Sequence, residues 1–135
     1  MKNIFLCIIG MSILYSCKKD NAIQNDIIGS WEYITFIGYP FNYPSYLPGN
    51  GKIIVIGSNG TFERKSHDTT IFKGSYSLEK RKDCHGDAKE TFFKTTELNS
   101  GENIISVKHD SLFLNSSNCL ADGGVSIYRR NSSYR

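Results

Sequence analysis

The sequence predicts an all-β domain, an antiparallel up-and-down barrel of eight strands. Two observations carry that prediction. From Ile27 onward, apolar residues fall in short runs separated by turn residues, and no 3.6-residue periodicity competes with them. Those runs also number eight and follow one another through mostly hairpin-length connections. Eight antiparallel strands close into a barrel just wide enough for core side chains or one small ligand. Closure removes the edges that an open sheet must protect. An open sandwich is the structural alternative with the same strand count.

The amino terminus has a different character. Lys2 precedes a mostly apolar stretch, Ile4–Tyr15, and Lys18, Lys19 and Asp20 follow at once. A spanning helix needs about 20 apolar residues, so this stretch has the length and flanks of a secretory signal over residues 1–16. Ordinary cleavage before Cys17 would want a small residue where Leu14 stands. Leu14-Tyr15-Ser16-Cys17 instead resembles the lipobox of bacterial lipoproteins, which implies lipidation of Cys17. Several acyl chains anchor firmly where one binds only marginally. Residues 17–25 read as a lipidated cysteine and polar tether. Cys17-Lys18-Lys19-Asp20 also resembles the lysine-then-acid tag that sends some Bacteroidota lipoproteins to the cell surface, and a plain linker is the equal alternative. A lipid-anchored place at the outer membrane, on its periplasmic face or the cell surface, is expected.

The barrel is expected over residues 26–130. The first strand is read at 31–38, and the aromatic, proline-rich segment Tyr39–Asn50 follows it. Strands at 52–57 and 61–66 flank Asn59-Gly60, a hairpin signal because a type I′ turn needs positive φ at both central residues. His67-Asp68 turns into a strand at 70–78, where Phe72, Gly74, Tyr76 and Leu78 share a face and Gly74 suggests a bend. Residues 79–90 are read as a charged loop. Strands at 91–98, 103–108 and 111–115 are joined by turns at 99–101 and His109-Asp110. A loop at 116–124, a last strand at 125–130 and a polar tail at 131–135 complete the chain.

Charge excludes one class. There are 16 Lys and Arg against 13 Asp and Glu, a net +3. A nucleic-acid binder usually shows a clustered basic stripe, whereas Lys80-Arg81-Lys82 adjoins Glu79 and Asp83 and reads as solvated surface. No nucleic-acid partner is expected. No Gly-x-Ser-x-Gly, HExxH or phosphate-cradling loop occurs, so no catalytic role and no cofactor are expected.

Four cysteines are present. Cys7 leaves with the signal and Cys17 takes lipid, so Cys84 and Cys119 remain. An even pair in an oxidising compartment reads as a disulfide, worth roughly 3–4.7 kcal/mol on the chain-entropy estimate. Free thiols are one alternative. A metal site is another, drawing on Asp83, Cys84, His85, His67, His109 and Cys119, although no ligand-type spacing supports it.

Gly29-Ser30-Trp31, preceded by Asp26-Ile27-Ile28, resembles the Gly-x-Trp signature of lipocalins. Asn-Gly-Thr-Phe at 59–62, Lys-Gly-Ser-Tyr at 73–76, Asp-Ser-Leu-Phe-Leu at 110–114 and Ile-Tyr-Arg-Arg at 127–130 extend the likeness. Over about residues 26–130 the layout is similar to the short lipocalin-like lipoproteins of Bacteroidota. That resemblance implies a lipocalin-like barrel in which Trp31 closes the floor beneath an arginine of the last strand. Parity with Val125 and Ile127 selects Arg129 as that arginine, with Arg130 next. The resemblance implies a fold more than an activity; a small apolar ligand is expected from the strand count together with Gly29-Ser30-Trp31, and the chain is expected to be a monomer.

Within Tyr39–Asn50, four aromatic residues (Tyr39, Phe41, Tyr43, Tyr46) share twelve positions with all three prolines of the chain. Tyrosines offer apolar area with a polar tip, and prolines lower the cost of ordering. These four aromatics are the candidate contacts to ligand or partner. A self-packed Ω-loop is the bland alternative, and a protein-interaction or inhibitor module with a filled core is the functional one.

Overall fold

The computed structural model describes residues 21–132 apart from residues 41, 85, 99 and 117–121. Residues 1–16, read from the sequence as a signal, and Cys17 therefore lie outside the described residues. Eight strands form one closed sheet: β1 (Gly29–Gly38), β2 (Lys52–Ile56), β3 (Thr61–Ser66), β4 (Thr69–Lys82), β5 (Lys89–Thr95), β6 (Glu102–Lys108), β7 (Ser111–Ser116) and β8 (Gly124–Arg130). Each is antiparallel to the next, and β8 returns to β1. The expected up-and-down barrel is thus present.

Two element assignments are corrected. The polar tether read over 17–25 ends in a helix, α1 (Asn21–Ile27). Ile23 and Ile27 stand four residues apart and so share one helical face. Ile27 is fully buried in the core and Ile23 packs against it. Two turns are too short to show periodicity in a sequence. The loop read over 79–90 is likewise mostly strand, because β4 runs to Lys82 and β5 begins at Lys89. Glu79, Arg81 and Glu90 are outer-face ladder residues there: Arg81 pairs with Glu102 across to β6 and lies 3.6 Å over the Phe92 ring.

The two ends of the barrel differ. One end holds the β2–β3, β4–β5 and β6–β7 turns and is closed by α1. Above α1 the interior is solid with Trp31, Ile54, Ile56, Phe62, Phe93, Ile105 and Leu112. Phe62 meets Phe93 edge-on at 5.8 Å, and Tyr76 stacks on Phe93 at 5.3 Å. The other end carries the segment Tyr39–Asn50 and the β3–β4, β5–β6 and β7–β8 connections, and there the interior opens.

The turns are built from local chemistry. Gly60 alone of the Asn59-Gly60 pair has positive φ (80°), so the hairpin is there but not as a type I′ turn. Asn59 Oδ1 instead accepts from the Thr61 amide and hydroxyl. His67 and His109 each take φ 54° in their turns, a conformation in which histidine is enriched among non-glycine residues. Gly74 is packed tightly: a Cβ there would lie 2.3 Å from Thr96 Oγ1.

The floor pair is also corrected. Trp31 is fully buried and donates from Nε1 to the Ile27 carbonyl at 2.7 Å. The guanidinium over its ring, at 4.1 Å, belongs to Arg130, not Arg129. In the β1–β8 ladder Trp31 faces Arg130, whereas Glu32 faces Arg129. Arg130 also donates to the carbonyls of Asp26 (2.9 Å) and Ile28 (3.2 Å). It thereby ties the carboxyl end of α1 to the floor, where a cation is favoured by the helix dipole. The parity argument failed because Val125 and Ile127 are the outward residues of β8, sheltered by half-burial on both faces.

Candidate functional site

The open end is shaped by a gap between β1 and β2. Their pairing spans only Gly29↔Ile56 to Glu32↔Ile53. Beyond Glu32, the returning segment takes the place of β2 alongside β1. The Tyr43 amide donates to the Phe36 carbonyl (3.1 Å), the Tyr46 amide to Ile34 (2.8 Å), and Asn50 Nδ2 to Tyr33 (2.9 Å). Prolines suit this segment because only some of its amides are needed as donors. The segment is therefore part of the wall rather than a free flap.

Its aromatic rings face the strand residues beside them. Tyr43 meets Phe36 at 5.9 Å, and Tyr46 meets Tyr33 at 5.7 Å. Tyr33 in turn meets Tyr128 of β8 edge-on at 5.4 Å. Outside the wall, Arg129 donates from Nη2 to the Tyr46 carbonyl (2.7 Å). Its Nε faces Glu32 Oε2 at 3.3 Å, an ion pair rather than a hydrogen bond. Arg129 thus pins the segment from outside, a role unlike the one the sequence assigned it.

Two β-bulges flank this region. Ile34 is the extra residue in β1 opposite β8, and Ile71 the extra residue in β4 opposite β3. Bulges bend a strand and re-aim side chains, and they are frequent at barrel rims. Between them lies a cleft of about 480 Å³, whose lining includes Tyr33, Tyr43, Tyr46 and Tyr128 together with Ile54 and Ile71. Lys52, Arg64, Lys65 and Ser66 complete its polar side. Among the described residues no carboxylate lines it. The Lys52 ammonium stands 3.9 Å from the Tyr46 ring centroid and 5.9 Å from that of Tyr33.

A second cleft of about 270 Å³ adjoins it on the β5–β7 side, and Ile54, Arg64 and Tyr128 line both. The Arg64–Glu97 ion pair stands between the two, with Glu97 on the smaller one. Burial pushes the Tyr128 phenol up to about 12, helped by the neighbouring Tyr33 and opposed by Arg64. Tyr33 is also raised, chiefly by burial. Both phenols therefore keep their protons at neutral pH and present hydrogen-bond donors.

Of the four predicted contacts, Tyr43 and Tyr46 line the cleft. Tyr39 does not; it stands 79% exposed on the rim. Phe41 lies outside the described residues. The rim is conspicuously apolar. Ile37, Leu47, Ile71 and Leu98 are exposed there with Tyr39, Tyr43 and Tyr46, and these are all the exposed large hydrophobics among the described residues. The sequence reading missed Tyr33, Lys52, Arg64 and Tyr128, which sit on strands. For Lys52 and Arg64 the signal was the two-residue alternation of β2 and β3 about the Asn59-Gly60 hairpin, which puts Lys52, Ile54 and Ile56 on the face of Phe62, Arg64 and Ser66.

Cys84 follows β4 in an exposed turn, and Cys119 lies outside the described residues. No three His, Cys, Asp or Glu residues gather as a metal site among the described residues. None of the described helices is long and apolar enough to cross a membrane. Comparison with protein-family models, with curated proteins and with solved structures returned no match, so function rests on the chain's own geometry.

Proposed function

We propose that this chain is a membrane-anchored lipoprotein whose lipocalin-like barrel binds a small ligand at its open end. The observation that carries the reading is the cleft of about 480 Å³ set above a solid floor. Its size lies within the range of small-molecule sites, and such sites combine apolar walls with a few placed polar groups. Four tyrosines and three isoleucines supply the walls, which suit a ligand with an apolar or aromatic body.

Anchoring through Cys17 would set the orientation. Cys17 precedes Asn21 of α1 by four residues, a reach of at most about 14 Å. Because α1 closes the floor, the anchor would hold the floor toward the membrane and turn the open end away from it. A disulfide between Cys84 and Cys119 belongs to the same proposal, since the anchor would place both in an oxidising compartment.

The core and every described element lie after residue 20. A chain starting at residue 17 and carrying Cys17→Ser therefore keeps the barrel and is soluble without detergent. Titration of this form with the neutral fluorophore phenylnaphthylamine is expected to give saturable, one-site enhancement that Tyr46→Ala weakens. Native mass spectrometry of the freshly exported form is expected to show a bound small molecule. An empty protein that also fails to take up the fluorophore refutes the reading.

One observation favours a second reading, the apolar rim, which suits docking of a partner protein. A rim variant, Leu47→Ser with Leu98→Ser, separates the two. Neither residue lines the cleft, so ligand binding is expected to persist, whereas docking on the rim would be lost.

A further inference from the structure

We infer that the cleft selects an anionic ligand: a small molecule with a flat apolar body and one carboxylate, sulfonate or phosphate group held between Lys52 and Arg64. The inference rests on the ligand-binding reading above and adds the charge of the ligand to it.

Three features of the cleft combine. First, its side chains include Lys52, Arg64 and Lys65 and, among the described residues, no carboxylate. Lys65 faces Glu63, with 3.8 Å between Nζ and Oε2, and Arg64 faces Glu97 on the side of the smaller cleft. Among the described residues no carboxylate lies within 4.0 Å of the Lys52 ammonium, whose neighbours are the Tyr46 and Tyr33 rings. Aromatic faces attract a cation without neutralising it, so the charge remains available.

Second, the register spaces the cations for a shared anion. Lys52 pairs with Ser66, and Ile54 with Arg64. Lys52 and Arg64 therefore lie on one face of the β2–β3 ladder in a diagonal relation, about 7–8 Å apart at the backbone. The Ser66 hydroxyl belongs to the same face and lines the cleft with them. One oxyanion has the size to meet both cations and that hydroxyl. Like charges so placed repel one another, and a bound anion would relieve that repulsion.

Third, the opposite wall is aromatic. Tyr33, Tyr43, Tyr46 and Tyr128 stand on the segment, β1 and β8. The cleft is therefore polarised, with cations on the β2–β3 side and rings across from them. A cationic ligand would meet repulsion on one side. A wholly apolar ligand would desolvate Lys52 without giving it a partner.

Two fluorophores test this, because anilinonaphthalene sulfonate and phenylnaphthylamine share their ring system and differ by the sulfonate. The soluble Cys17→Ser form is titrated with each. The sulfonate is expected to bind on the order of ten-fold more tightly, as a contact to a charged group would give. Added salt should erode that advantage while leaving the neutral probe unchanged. Lys52→Met is expected to remove most of the advantage, and Lys52→Glu to reverse it, each read as the ratio of the two probes' affinities in the same variant. Lys52 is exposed at the start of β2, and an unchanged thermal midpoint confirms that each variant is folded.

Equal affinities, or an advantage that survives both Lys52 variants, overturn the inference while the ligand-binding reading stands. No saturable binding of either probe overturns both. Unlabelled octanoate, octyl phosphate and octanol then serve as competitors. Displacement by the two anions and not by the alcohol supports the inference, and displacement by the alcohol alone refutes it.

Discussion

Arg130 and Arg129 are neighbours on β8 with separate duties, and their substitution by methionine tests the register that separates them. Arg130→Met removes the cation over Trp31 and both donors to the α1 carboxyl end. The cation–π contact is worth about 1 kcal/mol where the cation stays partly solvated. Each bond to a carbonyl adds about 0.5–1 kcal/mol net, taken low because the Arg130 side chain is 38% exposed. The loss is about 2–3 kcal/mol, which lowers the thermal midpoint by roughly 6–18 °C in a domain of this size.

Arg129→Met destabilises for a different reason. It leaves the Glu32 carboxylate, only 6% exposed, without its cation, and stranding a buried charge costs about 2–4 kcal/mol. Stability alone therefore does not tell the two apart. Trp31 does, being the only tryptophan of the chain. Arg130→Met is expected to shift Trp31 emission to the red and open it to iodide quenching, as α1 loosens from the floor. Arg129→Met should leave the emission unchanged. Adding Glu32→Gln should rescue Arg129→Met and leave Arg130→Met as it was, because coupling is confined to groups in contact. A red shift with Arg129→Met and none with Arg130→Met refutes the register and restores the pairing that side-chain parity suggested.

Further outcomes follow from other parts of the fold. Phe93→Ala empties the centre of the aromatic cluster and should cost about 3–5 kcal/mol in urea unfolding, against little change for Tyr39→Ala on the rim. Burial raises the Tyr128 phenol in the folded state to about 12, from the ordinary tyrosine value of about 10. Its contribution is thus complete below pH 10 and lost as pH climbs to about 12, worth roughly 2–3 kcal/mol; Tyr128→Phe should flatten this alkaline decline, and an unchanged decline counts against the burial. Gly29→Ala should loosen the floor, because φ there is 137° and a Cβ would sit 3.0 Å from Arg130 Nη1; red-shifted Trp31 emission reports it. In vesicles bearing spin-labelled headgroups, the lipidated protein labelled at Asp110→Cys should be quenched more than when labelled at Leu98→Cys, and the reverse order refutes the orientation.

Much of the barrel was legible in the sequence because its signals are local. The Asn59-Gly60 turn, the histidine turns and the short apolar runs each act over a few residues, and all eight strands emerged near their observed places. What escaped depends on partners distant in sequence. The strand through Lys80-Arg81-Lys82 looks like a solvated loop until Glu102 and Phe92 stand beside it. Two turns of helix at Asn21–Ile27 mean little without the floor they cover. The choice between Arg129 and Arg130 needed the β1–β8 register, which sets Arg130 opposite Trp31, because β8 is half-buried on both faces and its own pattern does not mark the inward one. At the site, composition pointed to the aromatic segment, whereas Tyr33 and Tyr128 were dispersed among strand residues and drew no notice.

The division between the two ends also says where this protein can vary. The floor end combines Trp31, Arg130, α1 and the packed aromatics, and the Trp31 indole and Arg130 guanidinium there have fixed partners. Changes there alter stability first. At the open end the sheet is interrupted, two bulges bend the rim, and Lys52 retains a charge that no carboxylate meets. Such features weaken a fold and rarely persist for stability alone. Placing them at the end far from the floor lets ligand contacts change without unpacking Trp31. The same separation makes the two ends independent experimentally: substitutions at Lys52 and Tyr46 should leave Trp31 emission unaltered, and Arg130→Met should leave the relative affinity for the charged and neutral fluorophores intact. Cross-talk in either direction would mean that the cleft extends into the floor, contrary to the solid interior between them.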